Sequence, residues 1–210
     1  MNYQINTVYG RHIILEIMSD NPIIVDAGAC TGGFIKRWGQ HREKMEYKII
    51  AIECDRDHVK TIKSRNLRNI VICNKALVGH KPKQKPTYYK YLGRPTSGSV
   101  GYIKQYIINK KDFTGMKQYK VNTLPVNKIF SEFKIRKIDY LKMNIEGSER
   151  NVLRAMTHKT ASKIKQISVS IHTNVLSGIS QESIISRLHE LGFVAWAIRR
   201  KEIYGFREEE

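Results

Sequence analysis

The sequence predicts a single α/β domain, a mostly parallel, doubly wound sheet with helices on both faces. Short apolar runs alternate with longer segments of helical periodicity, the pattern of βαβ units. An early apolar run ends in a glycine-containing turn, and the next ends in an acid about 20 residues further on, the arrangement of an open α/β sheet that binds a ligand at its carboxyl edge. The 210 residues suffice for one sizeable core and are too few for two ordinary domains with a linker, so 1–210 is read as one unit.

The elements follow in order. Residues 1–20 (MNYQINTVYGRHIILEIMSD) are expected to form an N-terminal helical segment. IIVDA (Ile23–Ala27) is a buried strand, and a helix starts at Gly32 and runs to about Gln40. KIIAIE (Lys48 to Glu53) is a second strand, followed by a helix from about Asp55 to Arg65, for which Asp55 or Asp57 supplies an N-terminal cap. NIVIC (Asn69 to Cys73) is a third strand. Residues 79–123 break the alternation, because HKPKQKP and GRPTSGSVG are turn-rich with strand-like pieces such as TYYKY between them, and they read as a basic insertion, either a hairpin or a set of loops. IDYLKM (Ile138–Met143) is a fourth strand, with a helix from about Ser148 to Met156. QISVSI (Gln166 to Ile171) is a fifth, with a helix from about Gln181 to Leu191 that Gly192 stops, and Phe193 to Ile198 closes the sheet.

Composition excludes several classes of protein. Hydrophobic residues make up 41% and charged residues 27%, an ordinary globular balance. No stretch approaches the roughly 18 apolar residues of a membrane helix, and the N-terminus lacks a secretory pattern, so a cytoplasmic location without membrane contact is expected. Cys30, Cys54 and Cys73 have neither paired count nor C-x-x-C spacing, which argues for reduced thiols and against a metal site. The charge is +18, and from His58 to Lys111 thirteen basic residues occur without one acid. Tyr88, Tyr89, Tyr91, Tyr102 and Tyr106 lie among them. Cations interleaved with rings suit RNA, which offers phosphates and stackable bases, although a merely solvated basic face has the same composition.

Three clusters carry chemistry. In VDAGACTGGF the strand ends at Asp26 and turns through Gly28, Ala29, Cys30, Thr31, Gly32 and Gly33, small residues that let a ligand approach backbone amides. Glu53 stands where the hydroxyls of a ribose need a carboxylate acceptor. The turn lacks the glycine pattern that seats a pyrophosphate, so an adenosine without phosphates fits better than a dinucleotide. In IDYLKMNIEGSERNVL, Lys142, Asn144, Glu146 and Glu149 gather at a strand end, where four polar groups are costly to bury unless something pairs them. Glu149 alternatively complements the following helix N-terminus.

With these residues the chain resembles the FkbM family of S-adenosylmethionine-dependent methyltransferases. The family motif, roughly L-K-x-D-[VI]-E-G-x-E, is matched in register by Leu141, Lys142, Asn144, Ile145, Glu146, Gly147 and Glu149. VDAGACTGGF, AIECD (Ala51 to Asp55), KALVG (Lys75 to Gly79), SGSV (Ser97 to Val100), VNTL (Val121 to Leu124) and SIH (Ser170 to His172) are further family-like pieces in the same order. The resemblance implies a Rossmann-like class I methyltransferase domain, with 79–123 near the active site. It implies S-adenosyl-L-methionine as cofactor, held by Asp26, Gly28, Ala29, Cys30, Thr31, Gly32, Glu53, Cys54, Ala76 and Asn144. It also implies O-methylation of a small-molecule or sugar hydroxyl.

Two departures stand out: Asn144 replaces the usual aspartate, and Ser170 the common glutamate before the histidine. An amide cannot act as a carboxylate base, though it can orient a ligand by hydrogen bonds. Lys142, Glu146 and His172 are the catalytic candidates: His172 as a base with an ordinary pKa near 6.5, Lys142 as a base, as a partner of Glu146 or as an anchor for an anionic acceptor. The competing readings are an RNA methyltransferase using residues 58–111, since the glycine turn also resembles the GGF version of some ribosomal RNA methyltransferases, and a cofactor-binding homologue with impaired catalysis.

Overall fold

Alternation along each strand decides which side of the sheet a side chain covers, and the computed structural model realises it through residues 3–41, 46–91, 98–100, 115–172, 180–199 and 201–208. Strands β3 (Ile23–Ala27), β4 (Lys48–Ile52), β5 (Ile70–Cys73), β11 (Ile138–Met143) and β12 (Ile164–Ser170) run parallel. They join β13 (Val194–Arg199) and β14 (Glu202–Phe206) in a seven-stranded sheet of order β13-β14-β12-β11-β3-β4-β5. Only β14 is reversed, antiparallel to both neighbours. The order turns back on itself between β3 and β11, and the crevice above such a switch point is where open α/β sheets bind ligands.

One face of the sheet presents Ile24 and Ile49 to Phe34, Ile35 and Trp38 of α1 (Gly33–His41) and to Ile62 of α2 (Arg56–Ser64). The opposite face presents Val25 and Ile50 to Ile129 of α3 (Ile129–Phe133), Val152 and Leu153 of α4 (Glu149–Ala155), and Ile184 and Leu188 of α6 (Gln181–Glu190). A short α5 (His158–Ala161) leads into β12. Gly192, left-handed at φ +85°, ends the chain's run through α6, and Asp55 caps α2 by accepting a hydrogen bond from the Asp57 amide, both as the sequence indicated.

The N-terminal segment departs from expectation. In place of a helix over 1–20, β1 (Ile5–Val8) and β2 (Arg11–Ile14) pair as an antiparallel hairpin. Tyr9 and Gly10 both have positive φ, the requirement of the two-residue turns that match strand twist, and Thr7, Val8, Ile13 and Ile14 are β-branched. A buried amide fixes the hairpin to the sheet: Gln166 Oε1 accepts from the Ile14 amide at 2.8 Å and its Nε2 donates to the Ile14 carbonyl at 2.9 Å. The second omission is β14, where Gly205 sits because a Cβ would lie 3.2 Å from that of Ala195.

The described part of 79–123 is built of short strands, TYYKY among them, and holds more than a single hairpin. Strands β7 (Thr87–Tyr91), β8 (Gly98–Val100) and β9 (Met116–Lys120) form a small antiparallel sheet. Beneath it β6 (Ala76–Val78) pairs in parallel with β10 (Thr123–Pro125). Arg94, Lys104, Lys110, Lys111, Tyr102 and Tyr106 lie outside the described residues, as do Ser97, Glu209 and Glu210.

Candidate functional site

The site grows from the turn after β3. Gly28 (φ +75°) and Cys30 (φ +52°) are left-handed, the latter at a cost of roughly 1 to 2 kcal/mol for a residue with a Cβ. Gly28 has no substitute, because a Cβ would stand 1.9 Å from the Asn144 carbonyl oxygen arriving from β11. The strained turn aims the Cys30 amide at Glu53 Oε2, 2.7 Å away, while the Asp55 amide donates to Glu53 Oε1 at 2.8 Å. Two backbone donors thus hold a carboxylate that is only 7% exposed at the end of β4. His58 stands beside it, Nδ1 at 3.8 Å from Oε1.

Across the switch point, Glu146 (φ +53°) and Gly147 (φ +104°) turn the chain into α4. Glu149 braces that turn, its Oε1 accepting from the Ile145 amide at 3.0 Å and its Oε2 from the Gly147 amide at 2.8 Å. His172 links the two acids, with Nδ1 at 2.8 Å from Glu149 Oε1 and Nε2 at 3.3 Å from Glu146 Oε1. Burial opposes a charge on this ring, but the hydrogen bonds and charges of Glu146 and Glu149 outweigh it and push its pKa up to about 9.

Between these walls lies a cleft of about 540 Å³ counted to its open mouth. Of the residues singled out in the sequence, Gly28, Cys30, Glu53, Cys54, Ala76, Asn144 and Glu146 line it. Ala29, Thr31 and Gly32 form the turn behind, where the Gly32 amide donates to the Ala29 carbonyl. Asp26 and Lys142 lie beneath: Lys142 Nζ is 2.5 Å from Asp26 Oδ1 and donates to the Gly28 carbonyl at 3.1 Å.

Two expectations change. Lys142 is paired with Asp26, its register partner on β3, and not with Glu146; at 5% exposure it holds the glycine turn from below instead of facing an acceptor. His172 is bridged by Glu149 and Glu146, which favour its protonated form, and a protonated ring has no lone pair to take a hydroxyl proton, so this geometry favours a positioning role over that of a near-neutral base. Glu149 braces the turn before α4 and also stands as an acid in the first turn of that helix, the alternative read from sequence.

Sequence reasoning missed His58, Lys75, Leu77, Tyr88 and Ser148, which also line the cleft. Tyr88, expected as an exposed stacking ring, is 4% exposed and packs on Tyr119 with centroids 5.3 Å apart. Lys90, expected as a free cation, is buried, with Nζ 2.9 Å from Asp55 Oδ2 and 2.8 Å from Asp57 Oδ2. Lys75 is taken by Glu132. Carboxylates outside the acid-free stretch therefore neutralise part of it, while Lys81, Lys83 and Lys85 stay exposed.

Solved structures share this architecture. A crystal structure of methyltransferase FkbM from Methylobacillus flagellatus KT superposes with a TM-score of 0.54 at 16% identity, over 90% of this chain and 44% of that one. The fibrillarin pre-rRNA processing protein of Methanococcus jannaschii gives 0.51 at 10% identity, covering 100% of this chain and 84% of that one. An rRNA methylase from Streptococcus thermophilus gives 0.50 at 9% identity, covering 92% and 91%. At such identities the likeness is one of fold, and this chain spans less than half of the FkbM structure. The fold is that of the Rossmann-like class I methyltransferases, enzymes that use S-adenosylmethionine. Within that class the chain belongs to the methyltransferase FkbM domain family, whose description matches residues 26–195. No curated protein matches it. Among the described residues no helix is long and apolar enough to cross a membrane.

Proposed function

We propose that the protein transfers the methyl group of S-adenosylmethionine to a hydroxyl of a small molecule or sugar, with the donor's nucleoside held at Glu53 and the acceptor facing Asn144 and Glu146. The observation that carries this is the cleft at the switch point, which has a braced carboxylate on one wall and an amide and a second carboxylate on the other. The residues fit the donor. Each Glu53 oxygen spends one lone pair on a backbone amide, which leaves acceptor capacity for two ribose hydroxyls. Ile52, Leu77 and Tyr88 offer an apolar wall for a purine.

When bound, S-adenosylmethionine supplies an electrophilic methyl: the carbon–oxygen bond forms as the carbon–sulfur bond breaks, its electron pair staying on sulfur and the hydroxyl proton leaving. Such a displacement depends mainly on alignment, and the chain's residues supply it. Glu146 accepts the hydrogen bond of the acceptor hydroxyl and can pass its proton to solvent, while the Asn144 amide donates to the hydroxyl oxygen and orients it. Lys142 and His172 are positioning residues, the first fixing the glycine turn through Asp26 and Gly28, the second fixing Glu146. A small acceptor is supported over RNA because Tyr88 and Lys90, two central members of the basic, tyrosine-rich stretch, are consumed inside the fold.

Calorimetry with S-adenosylhomocysteine tests the reading. Glu53→Ala removes charge-assisted hydrogen bonds worth roughly 1.5 to 3 kcal/mol, a loss of about 10- to 150-fold in affinity. Equal affinity in variant and wild type sinks the assignment of the nucleoside site.

A further inference from the structure

A second cleft opens beside the first, and Val100 and Ser148 belong to both. It is the roomier of the two, about 990 Å³ against 540 Å³ when both are counted to their open mouths. One wall is the segment from Val78 to Pro86, the other the face of α4 that carries Asn151, Arg154 and Ala155. The walls meet closely at one end, where a Cβ on Gly79 would stand 2.4 Å from the Asn151 carbonyl oxygen.

Its chemistry differs from that of the first cleft. Val78, Pro82, Pro86 and Ala155 give it apolar patches, and no carboxylate lines it. Its polar side chains are His80, Ser148, Asn151 and Arg154, and among the described residues none of the four has a side-chain hydrogen bond or ion pair. The acids nearest in sequence, Glu146 and Glu149, are both committed to His172. A permanent guanidinium, an amide and a hydroxyl without a counter-charge match an anionic oxygen group, for which arginine offers a paired donor geometry. The +18 charge of the whole chain draws anions toward such a cleft.

We propose that this second cleft is the acceptor pocket and that the acceptor is a small hydroxylated molecule bearing a phosphate or carboxylate, received by Arg154 and Asn151. The assignment rests on the first cleft holding the methyl donor. The shared Ser148 then marks the boundary across which the acceptor hydroxyl meets Glu146, while the acceptor's hydrocarbon part lies on the proline and valine patches.

The probes are phenyl phosphate, benzoate and phenol, titrated calorimetrically into protein saturated with S-adenosylhomocysteine. Phenyl phosphate or benzoate should bind at least about ten-fold more tightly than phenol, the worth of a hydrogen bond to a charged group. Whichever anion binds more tightly names the group. Arg154→Gln, at an exposed position, should abolish that preference and leave S-adenosylhomocysteine affinity unchanged. Asn151→Leu should weaken the anion as well, with phenol unaffected. If S-adenosylhomocysteine does not bind, the donor site fails and this proposal with it. If it binds while phenol and both anions bind alike, or Arg154→Gln changes nothing, the anionic pocket alone is overturned. An octauridylate whose binding is lost in the triple Lys81, Lys83, Lys85→Gln variant yet survives Arg154→Gln would replace the pocket with a nucleic-acid surface.

Discussion

Raising the pH should destabilise the protein through His172 in a defined window. The ring's pKa is about 9 in the folded chain and near 6.5 when unfolded, so the folded state binds the proton more tightly. Its contribution is therefore complete below pH 6.5 and declines as pH rises toward 9, above which it has gone. Each pKa unit is worth about 1.4 kcal/mol, and the interval amounts to about 3 kcal/mol. For a domain of this size that is a fall of roughly 6 to 12 °C in melting temperature. Urea denaturation of wild type and His172→Gln at pH 6.5, 8 and 9.5 isolates the effect, because lysine, tyrosine and cysteine titration is common to both. The stability gap should be largest at pH 6.5 and nearly closed at 9.5. Parallel curves across the range would refute the bridged imidazolium.

Three further outcomes follow from the same geometry. Asp26→Asn leaves Lys142 as a buried charge without its counter-ion, so it should cost about 3 to 5 kcal/mol in chemical denaturation, and Lys142→Met with Asp26→Asn should recover most of that loss. Gly28→Ala forces the turn away from the Asn144 carbonyl and should abolish S-adenosylhomocysteine binding in calorimetry, whereas Ala29→Gly should be tolerated. Glu146→Gln should lower turnover with any acceptor by at least about ten-fold while donor affinity stays within two-fold; a parallel loss of both would return Glu146 to a purely structural role.

Legibility followed sequence distance. Glu53 was readable because a strand that ends in an acid after a glycine turn is a local pattern, and the sheet's parallel strands were readable from apolar runs bounded by turns. The partner of Lys142 was not: Asp26 is 116 positions away, and only the pairing of β11 with β3 puts them side by side. Lys90 looked like a free cation for the same reason, since Asp55 and Asp57, at the start of α2, lie 35 and 33 positions away from it. The pKa of His172 was misjudged because two carboxylates from another segment converge on it. Residues 1–20 read as a helical segment, although the Tyr9–Gly10 turn, with positive φ at both positions, carries the local signal of a hairpin. β14 escaped notice because EIYGF is short and holds a glycine, which close packing against β13 requires.

The reversed strand also sets a timing problem for the nascent chain. The outer edge of β12 is completed only by β14, whose Tyr204 hydroxyl donates to the same Gln166 Oε1 that receives the hairpin. Residues after Ser170 must all be synthesised before Phe206 can pair, and at roughly 5 to 20 residues per second those 36 positions take about 2 to 7 s. Throughout that interval a parallel strand destined for burial presents an open ladder of amides and carbonyls, a template for a neighbouring chain on the same messenger. Premature termination anywhere before β14 should thus yield aggregation in place of a smaller soluble enzyme.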